Sequence, residues 1–131
     1  MDESRLPGLL AATEVVGDRW SLPVVAALAD GSRRFSDVRE VLPGLAPNVL
    51  SRRLDDLERA GVVTSTPYQT RPLRKAYELT ARGVELLPAA RLLSAWGSGD
   101  DDLFGTALDP DGWFGPGGDD ADDPGDGLVQ A

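Results

Sequence analysis

From Ser98 to Ala131 the chain holds no lysine or arginine, yet it holds ten aspartates, at positions 100, 101, 102, 109, 111, 119, 120, 122, 123 and 126. Glycine and proline recur through this stretch, and its few apolar residues follow no sustained period. Such a segment buries too little apolar surface to offset the entropy of ordering it. A packed core must therefore come from residues 1–97, a length suited to one small domain. The expected organisation is a folded domain over 1–97 and a disordered acidic tail over 98–131.

That division changes the meaning of the net charge. The whole chain is −9, which argues against binding a polyanion, since such affinity comes from cations that neutralise phosphates. The first 97 residues carry 13 basic and 12 acidic side chains, a balance of +1. Between Arg33 and Lys75 nine basic residues face five acidic ones, a local +4.

Composition removes whole classes of chemistry. There is no cysteine, hence no disulfide, thiolate metal site or thiol nucleophile. There is no histidine, which excludes a Ser-His-Asp triad and a His-liganded metal. No nucleophile–base pair or metal cluster is visible, so an enzyme is the least favoured class and no cofactor is expected. No apolar run approaches the ~20 residues of a membrane span. The start, MDESRLPG, lacks the basic and apolar regions of a secretory signal. The expected location is cytoplasmic, with no membrane partner.

Periodicity within 1–97 gives an ordered series of elements. Leu6, Leu9, Leu10, Thr13 and Val16 have helical spacing, ended by Gly17 as a glycine cap. A second helix runs from about Trp20 to Ala29, with Pro23 in its first turn and Asp30-Gly31 as a stop. A short third helix spans Ser36 to Leu42, with Ser36 as its N-cap. After Pro43-Gly44, Pro47 opens a fourth helix through Leu50, Leu54, Leu57 and Ala60, ended by Gly61. Val62 to Thr66 and Lys75 to Leu79 read as strands separated by eight residues that include two prolines. Thr80 caps a last helix over about Ala81 to Trp96, which Pro88 should bend or interrupt. Two helices joined by a tight turn and followed by a hairpin predict a mainly α fold with a small β-hairpin wing, a winged helix-turn-helix.

The same residues resemble the HxlR-type winged helix-turn-helix transcriptional regulators of bacteria. The matching pieces are Gly17-Asp18-Arg19-Trp20, Arg33-Arg34-Phe35-Ser36-Asp37-Val38 and Leu42-Pro43-Gly44-Leu45-Ala46-Pro47. They continue with Leu50 to Glu58, Gly61-Val62-Val63-Thr64, Tyr77-Glu78-Leu79-Thr80 with Gly83, and Ala95-Trp96-Gly97. Each piece alone is weak; their joint order over residues 6–97 is specific. The resemblance implies a homodimer on an inverted-repeat, double-stranded DNA operator. Its dimer contact would be made by the first and last helices, here through Leu6, Leu9, Leu10, Leu92, Leu93 and Trp96. Three departures stand out. Leu6-Pro7 replaces the Cys-Pro of many members, so a thiol switch is excluded. Ala46 replaces a serine at the recognition-helix cap. Ser65 replaces a wing arginine.

At 100° per residue, Leu50, Leu54 and Leu57 centre one face of the fourth helix, with Asn48, Arg52, Asp55 and Arg59 opposite and Ser51 at the flank. Base contacts of helix-turn-helix proteins come mostly from the first half of the recognition helix, which selects Asn48, Ser51 and Arg52. Arg33, Arg34, Arg53, Arg71, Arg74 and Lys75 are phosphate candidates, against the plainer reading of a charged, solvated surface. Asp55 could accept from a cytosine amine, but a pair with Arg52 or Arg59 is the favoured expectation. Trp20 and Trp96 read as core or dimer-interface anchors; the alternative is that they line a pocket for a small-molecule effector between the first, second and last helices.

The tail admits three readings: a solubilising terminus, a competitor for the DNA face with Leu103-Phe104 and Trp113-Phe114 docking beside the wing, or a recruiter of a partner such as RNA polymerase. Asp109 to Gly112 lacks the downstream glutamate of a calcium loop. The competing function is a winged-helix module that binds a ligand or protein and has lost operator binding.

Overall fold

A computed structural model describes residues 2–99. A 3₁₀ turn at Glu3–Arg5 leads into α1 (Leu6–Val16), followed by α2 (Ser21–Ala27), β1 (Arg33–Arg34), α3 (Phe35–Val41) and α4 (Pro47–Arg59). Then come β2 (Val63–Thr70), β3 (Leu73–Leu79), α5 (Ala81–Val84) and α6 (Leu87–Ser98). Among the described residues, those up to Ala90 form one compact unit and those from Arg91 belong to a second. The residues of the proposed tail docking and of the calcium-loop comparison, 103–114, lie outside the described residues.

The core of the first unit is where the helical periodicities converge. Val24, Val25 and Leu28 meet Val38, Leu45, Leu50, Leu54, Leu57, Val62 and Val63, all almost fully buried. Burying each such side chain stabilises by about 1.5–3 kcal/mol. Leu50, Leu54 and Leu57 recur at helical spacing, so α4 is fixed by one face and free on the other.

Several ends differ from the sequence expectations. Gly17 follows α1 but keeps a right-handed φ of −82°. Its value is space: a Cβ there would lie 2.2 Å from the Thr13 carbonyl oxygen. Ser36 lies inside α3, whose N-cap is Arg34. Asp37 supplies the cap instead, accepting from the Arg34 backbone N–H at 3.1 Å and from its guanidinium Nε at 3.1 Å. The Asp18 carboxylate opens α2, accepting from the backbone N–H of Trp20 at 3.0 Å and of Ser21 at 3.1 Å, and from the Ser21 hydroxyl. Gly44 and Gly61 do take positive φ, 90° and 77°, at the two ends of the turn–helix unit.

The hairpin is longer than its apolar pattern. β2 and β3 pair from Val63↔Leu79 to Thr70↔Leu73, so the eight-residue connection shrinks to a turn at Arg71-Pro72. Pro67 pairs opposite Lys75, and the register shifts between Pro67 and Gln69. Arg33 and Arg34 also pair with β3, opposite Tyr77 and Ala76, giving a three-stranded antiparallel sheet in the order β1-β3-β2. The expected last helix is two: α5 stops at Val84 and α6 begins at Leu87, with Pro88 in its first turn. Thr80 caps α5 as expected, its Oγ1 accepting from the Gly83 N–H at 3.1 Å.

Candidate nucleic-acid interface

α4 is the element on which sequence-specific contacts would be made. Its first residue is Pro47, and its cap residue Ala46 offers no side-chain acceptor. Asn48 and Arg52 are exposed on the side away from Leu50 and Leu54, and Ser51 is exposed at the flank. The three arginines of α4 differ in their surroundings. Arg53 is half-buried, with Nη1 3.6 Å from Asp18 Oδ1 and Nη2 3.2 Å from Asp56 Oδ2. Arg59 pairs with Asp56. Arg52 has no carboxylate within 4.0 Å among the described residues.

The pairing expected for Asp55 is not formed. Arg59 turns to Asp56, three residues back, and Asp55 makes neither an ion pair nor a hydrogen bond among the described residues. The substituted wing position, Ser65, is also accounted for: its hydroxyl donates to Glu58 Oε2 at 2.8 Å, tying β2 to the end of α4. Across the ladder from Ser65 stands Tyr77. Its partial burial, and then the negative charges of Glu58 and Asp55, raise its phenol above the ordinary value.

The β1–β3 pairing gathers cations from separate parts of the sequence. It sets Arg33 and Arg34 beside the strand that bears Arg74 and Lys75. Between α3 and the hairpin lies a cleft of about 280 Å³ lined by Phe35, Ser36, Tyr68, Leu73, Arg74, Lys75 and Tyr77. Arg71, at the turn, and Arg74 are exposed, whereas Lys75 is half-buried. Arg34 is exposed but holds Asp37 at 3.1 Å.

A second, more apolar cleft of about 440 Å³ lies between α1 and the α4–β2 and α5 region, lined in part by Gly8, Ala11, Val15, Val62 and Leu86, with Arg82 and Glu85 at its edge. Trp20 does not line it; that ring packs against the core with the Arg19 guanidinium 4.9 Å from its centroid. α1 buries none of its residues: Leu6, Leu9 and Leu10 are 42%, 50% and 66% exposed. In the second unit Leu93 and Trp96 are exposed and Leu92 is half-buried.

Asp18 and β1 were missed in the sequence. Asp18 had a readable signal, an aspartate three residues before Ser21 at the head of an apolar run. β1 did not, because two arginines carry no strand pattern. Among the described residues no group of Asp and Glu converges as a metal site, and no helix is long and apolar enough to cross a membrane.

A helix-turn-helix followed by a cation-bearing hairpin is a winged-helix fold, and its relatives place the chain among transcriptional regulators, not enzymes. The chain belongs to the HxlR-like helix-turn-helix family, whose pattern matches residues 15–102. It is 37% identical over 97 residues to the uncharacterized HTH-type transcriptional regulator YvaP of Bacillus subtilis, covering 73% of this chain and 90% of YvaP. Among solved structures it is similar to the reduced form of the regulator YodB from B. subtilis, with a TM-score of 0.60 and 27% identity over 73% of this chain and 94% of that one. The quinone-bound form of YodB gives a TM-score of 0.59 and 27% identity over 71% and 98%.

Proposed function

We propose that this regulator binds a specific double-stranded operator as a homodimer, with α4 in the major groove. The carrying observation is Arg52: exposed, on the outer face of a helix whose inner face is locked into the core, and without a carboxylate partner among the described residues. A guanidinium so placed suits a bidentate contact to guanine, and Asn48 one to adenine. Ser51 completes the base-reading set. Arg33, Arg71, Arg74 and Lys75 supply phosphate contacts. Arg34 and Arg53 join them only by sharing guanidiniums that already hold Asp37 or Asp18 and Asp56.

The dimer reading rests on α1, an apolar helix with no buried residue, and on the exposed Leu93 and Trp96 of α6. A second copy would cover Leu6, Leu9, Leu10, Leu92, Leu93 and Trp96, and inverted half-sites would follow from the two-fold symmetry. The DNA-binding and dimerising domain is assigned to residues 1–97 and an acidic appendage to 98–131.

The cleft against α1 is a candidate effector site. YodB is described in a quinone-bound form, and a flat, apolar small molecule of that kind suits a lining of Gly, Ala, Val and Leu. With no cysteine in the chain, such a ligand would be held without a thiol bond.

The second reading, a winged-helix module that binds a ligand or protein but no operator, is favoured by Ala46, which leaves α4 without a side-chain cap, and by Ser65, which serves Glu58 instead of carrying a wing cation. A mobility-shift assay with the upstream region of the chain's own gene separates the two. The operator reading expects retardation by the wild type and its loss in Arg52→Ala. No retardation by the wild type at low salt favours the module.

A further inference from the structure

Among the three carboxylates of α4, two have structural employment. Asp56 holds Arg53 and Arg59, and Glu58 accepts from Ser65. Asp55 has no partner among the described residues and is exposed. On the helical wheel it falls about 20° from Asn48 and about 60° from Arg52, on the face that would meet DNA. A bare carboxylate there is unfavourable toward phosphates, and the favourable contact open to it in the groove is acceptance from a base donor.

We propose that Asp55 is a specificity-determining residue that accepts a hydrogen bond from the exocyclic amine of a cytosine in the operator; this rests on the operator-binding reading above. An ionised carboxylate can only accept. In the major groove guanine offers N7 and O6 and thymine offers O4, all acceptors, so both are repelled. Adenine has an N6 donor, but its N7 acceptor would face the second carboxylate oxygen. Cytosine offers N4–H₂ with no acceptor on its own major-groove edge. Asp55 thus works mainly by rejection, complementing Arg52, which seeks the acceptors of guanine.

The test is selection from a pool of duplexes carrying a randomised central segment, using the full-length chain as wild type, Asp55→Asn and Asp55→Ala. The wild type should enrich cytosine at one position per half-site, by about fivefold to a hundredfold over guanine or thymine. Asp55→Ala should lose that preference alone. Asp55→Asn should move it to adenine, because an amide both donates and accepts. Thermal unfolding of both variants should match the wild type, since no contact among the described residues is removed. A wild type that enriches a sequence whose preferences are the same in both variants overturns this inference and leaves the operator reading standing. A wild type that enriches nothing at low salt overturns both.

Discussion

The guanidinium of Arg53, on the helix that would read DNA, lies 3.6 Å from the Asp18 carboxylate that opens α2. One carboxylate thus performs two tasks. It satisfies the free N–H groups of Trp20 and Ser21 and anchors the middle of α4 from outside the core.

Asp18 makes the fold acid-sensitive. Partial burial is the largest single influence on it and disfavours its charge. The hydrogen bonds from Ser21 and Trp20, with the nearby Arg53, outweigh that and hold it below its ordinary 3.8. A carboxyl lowered in the folded state stabilises fully above its unfolded value and loses that contribution as pH falls through the folded one. Stability should therefore be flat near neutrality and decline below about pH 4. Asp18→Ala should lower stability at pH 7 by about 0.5–2 kcal/mol, the usual scale of a lost cap, and flatten the acid limb. Urea titrations between pH 2.5 and 7 check both.

Gly83 should tolerate no side chain. A Cβ would lie 2.2 Å from the Val62 carbonyl oxygen and 3.2 Å from the Leu79 side chain. That carbonyl also accepts from the Thr80 N–H at 3.1 Å, so it is not free to retreat. Gly83→Ala, which on helix propensity alone would stabilise, should instead cost about 1–3 kcal/mol, read as a lowered melting temperature.

Arg52 and the wing cations should fail differently. Arg52→Ala should cost about 1–3 kcal/mol on the preferred duplex and much less on a scrambled one. Arg74→Ala should weaken both duplexes alike and reduce the dependence of binding on salt. Fluorescence anisotropy across a salt series separates the two behaviours.

Removal of residues 98–131 should tighten operator binding, most visibly at low salt. The segment carries ten aspartates, and tethering gives it an effective concentration in the mM range. Equal affinity of the full and shortened chains would exclude competition and leave the acidic segment a solubilising or partner-recruiting role.

The core-facing helices α2, α3 and α4 were readable because their apolar positions, Leu50, Leu54 and Leu57 above all, repeat at a helical period that the core then uses. Their ends were less readable, because a cap depends on one side chain. At α3 a serine and an aspartate competed, and Asp37 captured the Arg34 N–H from inside the helix. The hairpin was underestimated because β-strand pattern lapses at Pro67-Tyr68-Gln69, where backbone pairing and a register shift carry the strand onward. The exposed residues Asn48, Ser51 and Arg52 could be chosen by the wheel, but the Asp18 partner of Arg53 could not. That pair depends on how α2 packs on α4, a contact between helices that no periodicity encodes.

The position of β2 has a consequence for assembly. It is the longer of the two outer strands of the sheet, and a free strand edge invites another chain to add to it. Pro67, which has no N–H to offer, stands in the middle of that edge, and the shift after it breaks the regular spacing of the remaining donors. Growth of the sheet through the β2 edge, from one molecule into the next, is thereby discouraged.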